Sequence, residues 1–462
     1  MDQDYLLKQK PLWALFVFSL PMVIGNLFQQ TYTMADSAIV GRYVSEAALA
    51  AVGASYALTN IFIFVAVGGG IGASVLVSRY FGAKEYDRMK TTVYTALITF
   101  FAISLVLSGI GFLFGKSVMQ LLNTPPEVLD MATEYLNIYF LGLPFLFMYN
   151  VLSAMFNALG KSKIPLYFLI FSSVFNIILD YVLVRYAHMG VAGVAWATLI
   201  AQSISAVLSF VVLLLLFKKM DGTHSRLFCK KELRPMFKIA LPSILQQSTV
   251  SIGMMLVQSV VNSFGPEALA GFSAAMRIES LCVVPMLAVG NAVSSYTAQN
   301  LGAGNEKRVV KGYHASNILV GIFALIIMAM LEFFNGPIIR MFLGENGTQK
   351  ALDTGCNYLA FMGFFFCLIG FKMTADGLLR GAGDMKMFTI ANLINLGIRV
   401  AIAMIFAPKY GIQMIWISVP IGWGVNFLLS YMQYRTGKWK AIFKMHQQIA
   451  IESGGCEPKK KK

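Results

Sequence analysis

The chain has 462 residues, 57% of them hydrophobic and 13% charged, with a mean hydropathy of +0.67. A soluble protein carries about 25% charged residues, so the composition excludes a soluble fold. Barrel strands would show short alternating segments rather than long apolar runs, which leaves an all-α polytopic membrane protein. A net charge of +15 would suggest nucleic acid in a soluble domain. Here the basic residues lie between apolar segments, where the positive-inside rule accounts for them.

Twelve apolar segments follow one another, at roughly 12–38, 48–78, 92–114, 132–158, 164–186, 191–217, 236–262, 268–299, 313–334, 355–379, 388–408 and 412–434. Each is long enough to cross a bilayer as a helix, which takes about 20 residues. The run after MDQDYLLKQKP is too long for a cleavable signal and is expected to remain as an anchor. Even-numbered connections are basic (Arg79, Lys84, Arg88, Lys90 in the first; Arg380, Lys386 in the last) and odd-numbered ones are poorer in Lys and Arg. Both termini are therefore expected in the cytoplasm of a multi-pass cell-membrane protein.

The connection 218–235 is long and basic, and it divides a bundle at 1–217 from one at 236–440, with a basic tail at 441–462. The two bundles repeat each other. Pro21 answers Pro242 at an offset of 221; Gly82, Arg88 and Trp196 answer Gly302, Arg308 and Trp416 at 220; Gly160 and Lys163 answer Gly383 and Lys386 at 223. Six helices return the chain to the same face, so the expected plan is a pair of parallel six-helix repeats, one of the known transporter architectures.

The repeat breaks at the charged residues. Asp36 maps onto Leu256 or Val257, Asp180 onto Ala403, and Asn176 onto Arg399. An acid within a membrane segment costs at least about 3 kcal/mol on insertion scales and marks a functional site by default. Asp36, Asn176, Asp180 and Thr198 all fall in the outer half of their segments, and Asn176 and Asp180 share one helix face. Two carboxylates, an amide and a hydroxyl are hard oxygen ligands suited to a shared proton or an alkali cation. Pro21 removes a backbone hydrogen bond in the first segment and is a candidate hinge. The second half carries a mixed set instead: Arg277, Glu279, Lys372, Asp376 and Arg399, candidates for lining a substrate path. Lys372 and Asp376 are spaced for an ion pair on one face.

The stretches LPMVIGNLFQQTYTMADSAIVGR, FNALGKSKIP, FNIILD, GVAGVAWAT and LRGAGD resemble those of the multidrug and toxic compound extrusion family, in its bacterial branch with an acidic cluster in the N-terminal half. The resemblance implies a V-shaped pair of six-helix bundles related by a pseudo-twofold axis. It implies an antiporter that exports amphiphilic, often cationic drugs in exchange for protons or sodium. Its cation ligands would fall on Asp36, Asn176, Asp180 and Thr198, where sodium would bind if sodium is the coupling ion, and Pro21 would be the point where the first helix bends. The acids that other members carry on the seventh and tenth helices have no match on the seventh here, and on the tenth only Asp376, beside Lys372.

Other readings are weaker. Gly160-Lys161-Ser162 lacks the upstream glycine of a phosphate loop, where Met155 stands, so no nucleotide is expected to bind. No nucleophile–base or metal-ligand spacing suggests an enzyme, and no cofactor is expected. The glycine run Gly68–Ser74 reads as close helix packing. The alternative within the transport class is a flippase or exporter of a lipid-linked or polysaccharide substrate. Partners are expected to be small organic cations and the lipid bilayer, with no nucleic acid, and the protein is expected to act as a monomer.

Overall fold

A computed structural model describes residues 4–122, 124–222, 225–343 and 347–444. Most of the basic tail 441–462 lies outside them. The described residues are helical, with no strand. A short helix α1 (Tyr5–Lys8) precedes α2 (Pro11–Tyr43), α3 (Glu46–Gly82), α4 (Tyr86–Leu121), α5 (Pro126–Ala158), α6 (Lys163–Arg185) and α7 (Gly190–Lys218). Then come α8 (Lys230–Asn262), α9 (Pro266–Gly302), α10 (Glu306–Leu343), α11 (Gln349–Gly363), α12 (Phe366–Ala382), α13 (Met385–Tyr410) and α14 (Gln413–Arg435). Eleven of these are long and apolar enough to cross a membrane, and α11 with α12 makes a twelfth span broken by a bend of 53°.

The spans therefore stand where the sequence places them, with two differences. Most helices run past their apolar stretch, because polar residues at their ends continue the backbone hydrogen bonding into the interface. The tenth segment is two helices rather than one. The break falls at Phe364-Phe365, directly after Gly363, a residue that weakens a helix interior.

The described residues form two compact units. One holds Ile24–Ile244 and is termed the N-terminal unit; the other joins those up to Val23 with those from Leu245 on and is termed the C-terminal unit. The division runs through α2 and α8, two residues after Pro21 and two after Pro242, whereas the sequence suggests 218–235. Proline breaks the hydrogen-bond ladder inside a helix, so these are the points where a long helix can change the body it packs against.

Within the N-terminal unit, α3 and α4 pack on α5, and α7 packs on α5 and α6. Within the C-terminal unit, α9 and α10 pack on α12, and α14 packs on α12 and α13. The same four packings recur, as the sequence repeat requires. Glycines also permit a close approach of α3 to α8. A Cβ on Gly72 would stand 2.5 Å from Ala240 Cβ, and one on Gly68 2.8 Å from Ile244 N, so α3 and α8 meet backbone to backbone in the manner of small-residue membrane interfaces.

Each unit also ties down the start of a proline-bearing helix. In the N-terminal unit, Arg88 Nε of α4 pairs with buried Glu232 Oε1 of α8 at 2.9 Å, and Tyr80 donates to Glu232 Oε2 at 3.0 Å. In the C-terminal unit, the repeat partner Arg308 donates to the carbonyls of Leu6 (3.2 Å) and Gln9, and Asn300 donates to Leu6 O at 3.3 Å.

A candidate cation site in the N-terminal unit

Asp36 sits near the end of α2, Asn176 and Asp180 on α6, and Thr198 two turns into α7. The helix ends around them are held by a small apolar cluster of Val40, Ala48, Val184, Val191 and Val194, against which Met131 and Tyr135 pack. That packing sets the depth of all four polar residues from three separate helices. Asp180 is fully buried and Asn176 nearly so; Asp36 and Thr198 are half-buried.

The carboxyls of Asp36 and Asp180 lie within hydrogen-bonding reach of each other. Asn176 bridges outwards from them. With its amide turned so that Oδ1 accepts from Thr198 N at 3.1 Å, its Nδ2 donates to Asp180 Oδ2 at 3.2 Å. In the opposite orientation Nδ2 reaches Thr198 Oγ1 at 3.4 Å. Asp180 Oδ1 has no hydrogen-bond donor among the described residues. Two ionised carboxylates offer no hydrogen to each other. A proton shared between them, or a cation held by both, supplies what is missing.

Two tyrosines complete the site, and sequence reasoning passed over both. Tyr32, one turn before Asp36, is in hydrogen-bond contact with Thr198. Tyr135 of α5 feels the charge of both acids. Tyr135 and Thr198 also line a cavity of about 10 Å³ with Tyr139 and Gln202, room for about one water-sized guest. The signal for Tyr32 was its spacing of four from Asp36, which puts both on one face. Nothing singled out Tyr135 among the 19 tyrosines.

The second-half candidates do not gather in one place. Arg277 is exposed, while Glu279 is buried and accepts a hydrogen bond from the Tyr358 hydroxyl. A spacing of two puts them on different faces of α9. Arg399 is half-buried, its Nε has no hydrogen-bond partner among the described residues, and its charge acts on Glu279. Lys372 and Asp376 form a buried ion pair at 3.0 Å on α12. Among the described residues, no group of three or more His, Cys, Asp or Glu could hold a metal ion.

A membrane-embedded bundle of about twelve spans, built as two repeats, is the architecture of a membrane transporter. The MatE family signature matches residues 21–182 and 242–405, two stretches related by the offsets found between the halves, and the chain belongs to that family. It is 31% identical over 433 residues to the probable multidrug resistance protein YpnP of Bacillus subtilis, covering 93% of this chain and 96% of that one. It is 24% identical over 426 residues to the multidrug export protein MepA of Staphylococcus aureus, covering 90% and 92%. Among solved structures it resembles an outward-facing multidrug resistance MATE family transporter, with a TM-score of 0.88 at 24% identity over 96% of this chain and 99% of that one.

Proposed function

We propose that the protein is a cation-coupled multidrug antiporter of the cell membrane. It exports amphiphilic, often cationic compounds by alternating access and acts as a monomer with both termini in the cytoplasm. The observation that carries this reading is the Asp36–Asp180 carboxyl pair, with Asp180 Oδ1 lacking a protein donor. In low dielectric such a pair cannot stay doubly ionised, so it holds a proton or an alkali cation, and releases it when the surroundings admit water. Asp36, Asp180, Asn176 and Thr198 bind the coupling ion, and Tyr32 and Tyr135 orient it. Pro21, which leaves α2 one hydrogen bond short, lets the Asp36 end of that helix move relative to its start. Glu279, with Tyr358 and Arg399, is a candidate contact for the cationic cargo in the C-terminal unit.

The names of the relatives support the cargo class, and the oxygen ligand set supports either ion. The deciding experiment uses purified protein in sealed vesicles. An outward-directed organic cation gradient should drive proton uptake, or sodium uptake, into the compartment that the drug leaves. Drug movement that neither a proton nor a sodium gradient accelerates would sink the antiport reading.

A further inference from the structure

Helix α12 carries Lys372, Asp376 and Arg380 at spacings of four on one face, and Asp384 follows four positions on, beyond the left-handed Gly383 and at the start of α13, so the charges alternate in sign. All four are buried, at 3%, 2%, 6% and 2% exposure. At the offset of 223 the first repeat has Tyr149, Ser153, Asn157 and Lys161 in their place. The ladder is thus peculiar to the second repeat, and it is neutral only while Lys372 is charged. It lies on the inner half of the broken span, and discontinuous spans are where membrane transporters commonly place ions.

The surroundings of Asp376 form a cage of oxygens and amides. Asp376 Oδ1 accepts from Ser430 Oγ at 3.0 Å, and Oδ2 accepts from Lys372 Nζ at 3.0 Å and Asn392 Nδ2 at 3.1 Å. Asn426 Oδ1 lies 3.4 Å from Ser430 Oγ, and Asn392 Oδ1 accepts from Gln246 at 3.4 Å. Arg380 turns its guanidinium away, towards Asn291 Oδ1 (2.8 Å) and Ser294 Oγ (3.3 Å). Among the described residues the Lys372 ammonium, with three N–H donors, has Asp376 as its one acceptor. Asn426 Nδ2 is buried with no partner. The lysine is held at a single point on a flexible four-carbon stem, in a setting that otherwise matches the hard oxygen ligands of an alkali cation.

We propose that the cage around Asp376 is a monovalent-cation site that the chain keeps filled with its own Lys372 ammonium. The C-terminal unit thereby supplies its cation from within, and external cations act on the Asp36–Asp180 site alone. Replacing Lys372 by a neutral chain of similar length leaves two acids against one base on the ladder. The cage then takes up a small dehydrated cation such as sodium.

The test compares full-length protein in nanodiscs in sodium chloride and in N-methylglucamine chloride, by thermal unfolding and by radioactive sodium binding. Every variant also carries Asp36→Asn and Asp180→Asn, which silence the first site. The protein with Lys372 intact should show no sodium response. Lys372→Met should gain saturable sodium binding and a sodium-dependent rise in unfolding temperature. Lys372→Arg, which keeps the charge, should stay indifferent to sodium. Lys372→Met/Asp376→Asn should lose the response, a result that a mere packing defect would not produce. A Lys372→Met protein that folds only in sodium also supports the proposal. One that folds equally in both salts without binding sodium overturns it, and so does one that folds in neither, because sodium then fails to fill the cage.

Discussion

Asp36 and Asp180 stand 144 positions apart in the chain, on α2 and α6, and their carboxyls meet with no base between them. The nearest polar groups are an amide and hydroxyls, from Asn176, Thr198, Tyr32 and Tyr135. On the proposed reading, the site draws its missing positive charge from outside the protein.

Removing either acid should uncouple transport. Asp36→Asn or Asp180→Asn is expected to lower gradient-driven efflux in vesicles at least about tenfold, the scale of about 1.4 kcal/mol in one coupled step. Equilibrium drug binding to the detergent-solubilised protein should change much less. Full efflux by both variants would remove the coupling role.

The amide and hydroxyls should tune the site rather than create it. Asn176→Leu leaves Asp180 without its one protein donor, a loss of about 1–3 kcal/mol for a buried acceptor. It is expected to lower both stability and the affinity for the coupling ion. Tyr32→Phe removes only the hydroxyl that meets Thr198, and should reduce ion affinity several-fold with unfolding temperature preserved. Ion titrations of drug release from vesicles separate the two effects.

Glu279 is buried under the Tyr358 hydroxyl, with Arg399 acting on it. Glu279→Gln should weaken binding of cationic drugs severalfold while neutral amphiphiles bind as before, measured by fluorescence quenching. An equal loss for both classes would point to a packing role.

Close packing of α3 on α8 predicts a steric outcome. A side chain at Gly72 must displace Ala240, whose Cβ stands 2.5 Å from the new atom. Gly72→Leu should cost about 1–3 kcal/mol or more by overpacking, seen as a lower unfolding temperature. Gly53→Ala, where the added carbon meets nothing within 4 Å, should leave that temperature unchanged or raise it.

The Glu232 clamp makes a fifth point of attack. Glu232→Ala leaves the Arg88 and Tyr80 donors without their shared acceptor, and breaking a buried pair costs about 3–5 kcal/mol. Because Arg88 is partly exposed, at 19%, water softens the loss towards the lower end. Glu232→Gln keeps one acceptor and should recover part of the stability.

Much of this was legible in the sequence because membranes penalise charge. Asp36 and Asp180 announce themselves by their cost in an apolar run, and constant offsets between prolines, glycines and tryptophans disclose the repeat. What stayed hidden carries no such penalty. Tyr32 and Tyr135 are ordinary residues in membrane helices. The bend at Phe364-Phe365 follows Gly363, yet Gly370 a few residues on lies inside an unbroken helix, so glycine alone did not mark the place. Of the α12 ladder only the Lys372–Asp376 step stood out, since Arg380 and Asp384 read as loop charges at a span's inner edge.

The exchange of helix ends at Val23 and Ile244 bears on how the chain is made. As synthesis proceeds from the N-terminus, the N-terminal unit cannot close until the ribosome has passed Ile244. The carbonyls of Leu6 and Gln9 find their side-chain donors only when Asn300 and Arg308 have been made, 294 to 302 residues later. The segment before α2 is thus secured only after the whole N-terminal unit and the start of α10 have been made.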